Sequence, residues 1–110
     1  MPFPKNLVFA AVALTLTATL AGAQDYPNHP ITLVIPFAPG GSTSVVGRGV
    51  ADKMGEILGQ KVVVDNRPGA GGTVGTKAVA KADPDGYTLL LGYTGTLAIG
   101  PSLYKNPGYD

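Results

Sequence analysis

The residues best suited to chemistry lie in one short stretch, Phe37-Ala38-Pro39-Gly40-Gly41-Ser42-Thr43-Ser44, where paired glycines precede three hydroxyl side chains. An apolar run, Ile31–Pro36, leads into it, and residues with helical spacing follow. A strand feeding a glycine-rich turn and then a helix presents unpaired backbone N–H groups and the positive end of a helix dipole to an anion. The chemistry within reach is non-covalent capture of a phosphate, a nucleotide or a carboxylate. The N–H groups of Gly40 to Ser44 would donate, and the hydroxyls of Ser42, Thr43 and Ser44 would add donors, each bond contributing about 1 kcal/mol net. The same hydroxyls serve equally well as ordinary helix caps.

Other chemistries find little support. The dinucleotide pattern G-x-G-x-x-G is absent from this turn, and Gly69–Gly75 (GAGGTVG) has the wrong spacing after the wrong strand, although Asp65 ends a strand where a ribose-binding acid would sit. The phosphate-loop pattern also fails, because Gly75-Thr76-Lys77 inserts a residue before the lysine. A hydrolase needs a nucleophile beside a base. None of the serines sits in a G-x-S-x-G elbow, and the only histidine, His29, precedes the first strand, where a solvated linker side chain is expected. With no cysteine and one histidine, neither a metal site nor a cofactor is expected.

These residues need a scaffold to position them. Ile31–Pro36 (ITLVIP) reads as a strand buried on both faces. Val46, Val50, Met54, Ile57 and Leu58 then form one apolar helical stripe, with Ser42 or Thr43 capping the first turn and Gly59 stopping the helix in the left-handed region. Gly47, Gly49 and Gly55 are expected to weaken its interior, by about 1 kcal/mol each relative to alanine. Lys61–Asp65 is a second strand and Asn66–Gly72 a second glycine-rich turn. A helix from Thr73 to about Ala82 follows, turning Val74, Ala78 and Val79 to the core. Asp83–Gly86 is a turn, Tyr87–Gly92 a third strand, and Tyr93, Thr94, Gly95 and Thr96 a third polar loop. Strand, helix, strand, helix, strand implies an α/β fold with a parallel sheet, so all three loops should meet at its carboxyl edge, where open α/β sheets bind ligands.

The beginning of the chain indicates the compartment. Lys5, the apolar stretch Leu7–Leu20 and the small residues Ala21-Gly22-Ala23 have the layout of a secretory signal peptide over 1–23. The apolar stretch falls short of the roughly 20 residues that cross a bilayer. An exported chain without cysteine fits a bacterial periplasm better than a disulfide-stapled secreted domain. Residues 24–110 carry Arg48, Lys53, Lys61, Arg67, Lys77, Lys81 and Lys105 against an equal number of acids, with no basic cluster. That balance lacks the footprint of a nucleic-acid binder, so an anion would be held by local geometry.

In their order after the leader, YPNHPITLVIPFAPGGSTSVVGR, LGQKVVVDNRPGAGGTVGTKAVAKADPDGYTLLLG and NPGYD resemble the extracytoplasmic solute-binding proteins of tripartite tricarboxylate transporters, the Bug family. The resemblance covers essentially all of residues 24–110. It implies a parallel-sheet lobe of a two-lobed periplasmic binding protein of type II-like architecture, which closes on a small carboxylated solute and delivers it to membrane permease components. By position, Phe37 to Ser44 would grip one carboxylate, largely through the main chain, and Tyr93 to Thr96 would also line the cleft. The resemblance further implies about 300 residues, so that 24–110 would be the N-terminal part of the first lobe, with the second lobe outside this chain. Many members carry aspartate where this chain has Ser44, and bulkier residues at Gly47 and Gly49. Two readings stand beside it: a secreted α/β interaction module, and a hydrolase-like domain.

Overall fold

The computed structural model describes residues 25–110, so the expected leader lies outside the described residues. Three strands, β1 (Ile31–Ile35), β2 (Val62–Asn66) and β3 (Thr88–Leu90), form one sheet in the order β2-β1-β3. Both pairings are parallel: Ile31 lies opposite Val62 and Ile35 opposite Asn66, while Thr32 lies opposite Thr88 and Val34 opposite Leu90. The central strand alternates its partners. The Ile31 N–H donates to the Lys61 carbonyl at 2.9 Å on one side, and the Thr32 N–H to the Tyr87 carbonyl at 2.8 Å on the other. Such pairing on both edges, and burial on both faces, is what a short β-branched run is suited to. Ile31, Val34 and Ile35 are accordingly buried.

The 17-residue helix α1 (Ser42–Leu58) connects β1 to β2 and packs against both. Its buried face is not the valine stripe expected from the sequence. Ser44, Gly47 and Ala51 are buried, and Met54 and Leu58 continue the same face against the core. Val46 is 61% exposed, Val50 41% and Ile57 74%. The reason is steric. A Cβ at position 47 would collide with Ile35 Cδ1 and stand 3.1 Å from Leu91 Cδ2, so the helix meets the sheet over its smallest residue. Gly47 therefore gives up some helix propensity but permits close packing that a larger side chain would block. Gly49 has open space around it.

Gly41, not Ser42 or Thr43, is the N-cap of α1, and no side chain caps that turn. The expected stop holds: Gly59 has φ 69° and its N–H bonds to the Gly55 carbonyl. The second strand begins one residue later than expected and takes in Asn66. A short 3₁₀ turn (Ala70–Gly72) then leads into α2 (Thr73–Ala80), which packs against β1 and β3. Gly75 and Thr76 are its buried residues, while Val74 is exposed, contrary to expectation. Gly75 is buried because a Cβ there would lie 2.9 Å from the Arg67 carbonyl oxygen and 3.0 Å from Pro36 Cα. Three irregular residues after β3, the chain turns helical: a π-helical turn (Gly95–Ile99) runs into α3 (Gly100–Leu103). The expected loop at Tyr93–Thr96 is thus the start of a helical segment. Among the described residues no helix is long and apolar enough to cross a membrane.

Candidate functional site at the carboxyl edge of the sheet

The three glycine-bearing segments do converge at the carboxyl edge. In the first, Pro36 is buried, Phe37 half-buried, and Ala38, Pro39, Gly40, Gly41 and Ser42 exposed. Gly40 has φ 90°, the left-handed conformation that a glycine adopts without strain. The N–H groups of Ser44 and Val45 both donate to the Gly41 carbonyl at 3.0 Å. The first-turn N–H groups of Ser42 and Thr43 have no acceptor within the helix, and no acidic side chain occupies that turn. An anion set before Ser42 would meet those donors and the positive end of the α1 dipole.

The second segment is a run of left-handed residues, Gly69 (φ 136°), Ala70 (48°), Gly71 (65°) and Gly72 (95°). It is pinned by hydrogen bonds from Thr73 Oγ1 to the Ala70 carbonyl and from Thr76 Oγ1 to the Gly72 carbonyl, both 2.9 Å. Gly72 lies directly against Thr96 and Phe37, which leaves no room for a side chain and brings the second segment against the first and third. Within the third, the exposed ring of Tyr93 meets Phe37 edge to face, with centroids 5.1 Å apart. Thr96 Oγ1 donates to the Tyr93 carbonyl at 3.0 Å, and the Thr96 carbonyl accepts from the Tyr109 hydroxyl at 2.6 Å. A groove of about 290 Å³, lined by Ser42, Thr43, Val46, Leu91 and Gly92, opens at the same edge.

The residues singled out from sequence thus divide. Phe37, Ala38, Gly40, Gly41, Ser42, Thr43, Tyr93, Thr94 and Gly95 lie on or beside the open surface of this edge. Ser44 and Thr96 are each only 1% exposed and point their hydroxyls into internal hydrogen bonds. Sequence reasoning passed over Asn66, whose Nδ2 donates to the Phe37 carbonyl at 3.0 Å and to Ser44 Oγ at 3.3 Å. Its signal was its position, a side-chain amide placed directly after an apolar strand. Asp65, the acid weighed for a ribose, is paired with Arg67 at 2.7 Å. His29 sits at the opposite, amino edge and is exposed as expected, with its ring also stacked on Tyr87 at a centroid distance of 3.5 Å. The one histidine of this chain therefore does not lie beside the serines of the carboxyl edge.

Residues 46–110 match the family described as the tripartite tricarboxylate transporter family receptor. The chain belongs to that family. It is 44% identical over 96% of its length to a UPF0065 protein of Bordetella pertussis, and 48% identical over 89% of its length to Protein BugT of the same organism. It spans 32% and 30% of the lengths of those two relatives. Among solved structures it resembles the periplasmic binding protein BugD, with a TM-score of 0.74 and 54% identity, over 77% of this chain and 28% of that one. It likewise resembles MatC from Rhodopseudomonas palustris with bound malate, with a TM-score of 0.73 and 40% identity, over 76% of this chain and 29% of that one. The parallel α/β fold is thus that of periplasmic binding proteins.

Proposed function

We propose that residues 24–110 are the N-terminal part of the first lobe of a periplasmic receptor, exported by the leader 1–23. In this reading the receptor captures a small carboxylated solute and passes it to the membrane permease components of a tripartite tricarboxylate transporter. The observation that carries the reading is the uncapped N-terminus of α1, with open donors at Ser42 and Thr43 on the same sheet edge as the paired Phe37 and Tyr93 rings. One carboxylate oxygen pair would accept from these N–H groups and from the Ser42 and Thr43 hydroxyls. The ring edges would face the carbon chain of the solute, with Thr94 as a further hydroxyl. The bound malate of MatC, and the adipate of a second R. palustris neighbour at 40% identity, support the carboxylate class.

The test is calorimetry on a full-length receptor carrying this segment, titrated with malate, adipate, amino acids and neutral sugars. Heat from a carboxylate is the expected result, and tight binding only to an uncharged sugar would overturn the reading. Gly41→Val is the sharpest variant. Gly41 has φ −78° and a Cβ there meets nothing closer than 3.9 Å, so the fold tolerates it while a branched side chain blocks the approach to the main chain. Loss of carboxylate binding in a folded Gly41→Val protein is expected. Unchanged affinity would remove the first segment from the site.

A further inference from the structure

Among the described residues, side-chain hydrogen bonds to residues 37–44 come from Asn66 alone. This is unusual support for a segment of exposed main chain that lacks a side-chain cap of its own. Asn66 is the last residue of β2 and stands opposite Ile35, the last residue of β1. From there its amide reaches across the end of the sheet. Nδ2 donates to the Phe37 carbonyl, where the segment leaves the strand, and to Ser44 Oγ, where it enters the helix. Oδ1 accepts from Arg48 Nη2 at 3.4 Å, one turn further along α1.

The partners agree on which way the amide faces: the Phe37 carbonyl can only accept, and Arg48 can only donate. A guanidinium offers only donors, so it selects the oxygen end of the amide. The nitrogen end is left for the Phe37 carbonyl and the Ser44 hydroxyl, both of which accept. We infer that Asn66 is a positioning residue, whose side-chain amide sets the shape of the Phe37–Ser44 segment by tying its two ends to β2, with Arg48 holding the amide in register. The inference deepens the proposed function and rests on it for the meaning of that segment in ligand capture. It also explains why Ser44 is buried: its oxygen is an acceptor beneath the segment and not a contact above it.

The decisive variant is Asn66→Asp in the full-length receptor. It is close to isosteric and keeps an acceptor for Arg48, and the Ser44 hydroxyl can turn to donate to it, but it has no donor for the Phe37 carbonyl and sets a carboxylate oxygen against that carbonyl. Hydrogen exchange would be followed at the Ser44 and Val45 amides, which close on the Gly41 carbonyl, and at Leu33 in the centre of β1 as a reference. The lost bond to Phe37 and the repulsion between carboxylate and carbonyl predict exchange about tenfold faster at Ser44 and Val45, with Leu33 unchanged and malate or adipate affinity lowered by a similar factor. Ser44→Ala, which keeps the bond to Phe37, should show roughly a third of that acceleration or less. Arg48→Ala acts on the amide from the surface and should move the same two amides by a few-fold even if Asn66→Asp fails to fold.

Exchange at Ser44 and Val45 unchanged in Asn66→Asp, or accelerated equally at Leu33, would overturn the positioning role. Unchanged exchange in Arg48→Ala would do the same for the orienting contact. Local acceleration in a receptor that, unaltered, binds only an uncharged sugar would uphold Asn66 and overturn the carboxylate reading instead.

Discussion

The two edges of this small sheet are finished in opposite ways. At the amino edge, side chains do the closing: Tyr26, His29 and Tyr87 form an aromatic cluster, with Tyr26 and Tyr87 edge to face at 5.0 Å and His29 flat on Tyr87. The Tyr26 hydroxyl donates to the Gly86 carbonyl at 2.6 Å, and the Tyr87 hydroxyl accepts from the Asn28 backbone N–H and donates to Asn28 Oδ1. At the carboxyl edge the main chain itself forms the outer surface. Gly40, Gly69, Gly71 and Gly72 take positive φ, and the support comes from beneath. At the amino edge large rings join the chain to itself. Where the proposed ligand would touch backbone, side chains are absent or turned inward, and the turn is held from beneath by Asn66.

This contrast can be broken at several points. The largest effect is expected from Gly75→Val, whose side chain would press on the Arg67 and Pro36 backbone. Backbone cannot yield as a flexible side chain does, so a loss of about 3 kcal/mol in denaturant unfolding is expected. A loss below about 0.5 kcal/mol would mean that α2 does not need this contact to seat the second segment. Tyr87→Phe is predicted to lower stability by about 1 kcal/mol, because it removes the hydroxyl shared with Asn28. Affinity for a carboxylate in the full-length receptor should stay within twofold, and a larger change would join the two edges functionally. The smallest effect is expected from His29→Ala, which removes one exposed ring stack worth about 0.5 kcal/mol. If thermal unfolding shows His29→Ala to be more damaging than Tyr87→Phe, the stack and not the hydrogen bonding dominates the amino edge.

The presence and parallel direction of the three strands were legible because ITLVIP, KVVVD and YTLLLG are short, β-branched or aliphatic, and separated by helical lengths of chain; that the first of them lies in the middle was not. The convergence of the three segments followed from topology alone. The face of α1 was not legible, because hydrophobic periodicity assumes that large apolar residues go inside. Here Gly47 must pass over Ile35, and the rotation that allows this leaves Val46 and Val50 exposed. Ser42 and Thr43 look like caps in sequence, but Gly41 takes the cap position and leaves their N–H groups open. The segment at Tyr93 reads as a loop from its glycine and hydroxyls. Its helical conformation depends on contacts far along the chain, such as the Tyr109 hydroxyl on the Thr96 carbonyl. Asn66 escaped notice for a similar reason, since an amide's partners cannot be read from its neighbours in sequence.

The sheet order has a consequence for the order of events as the chain is made. β1 is synthesised first, yet it is the strand with neighbours on both sides, and both neighbours come later. Its Thr32 N–H waits for the Tyr87 carbonyl, and its Ile31 N–H for that of Lys61. Until residues through Leu90 have emerged, the most apolar strand of the chain has unpaired polar backbone on at least one edge. Non-local parallel pairing of this kind is slow, because loop closure comes before any gain from contacts. Exposed strand edges in that interval favour association between chains. Whenever the chain emerges end first, ITLVIP is therefore the segment that stands longest with an open edge.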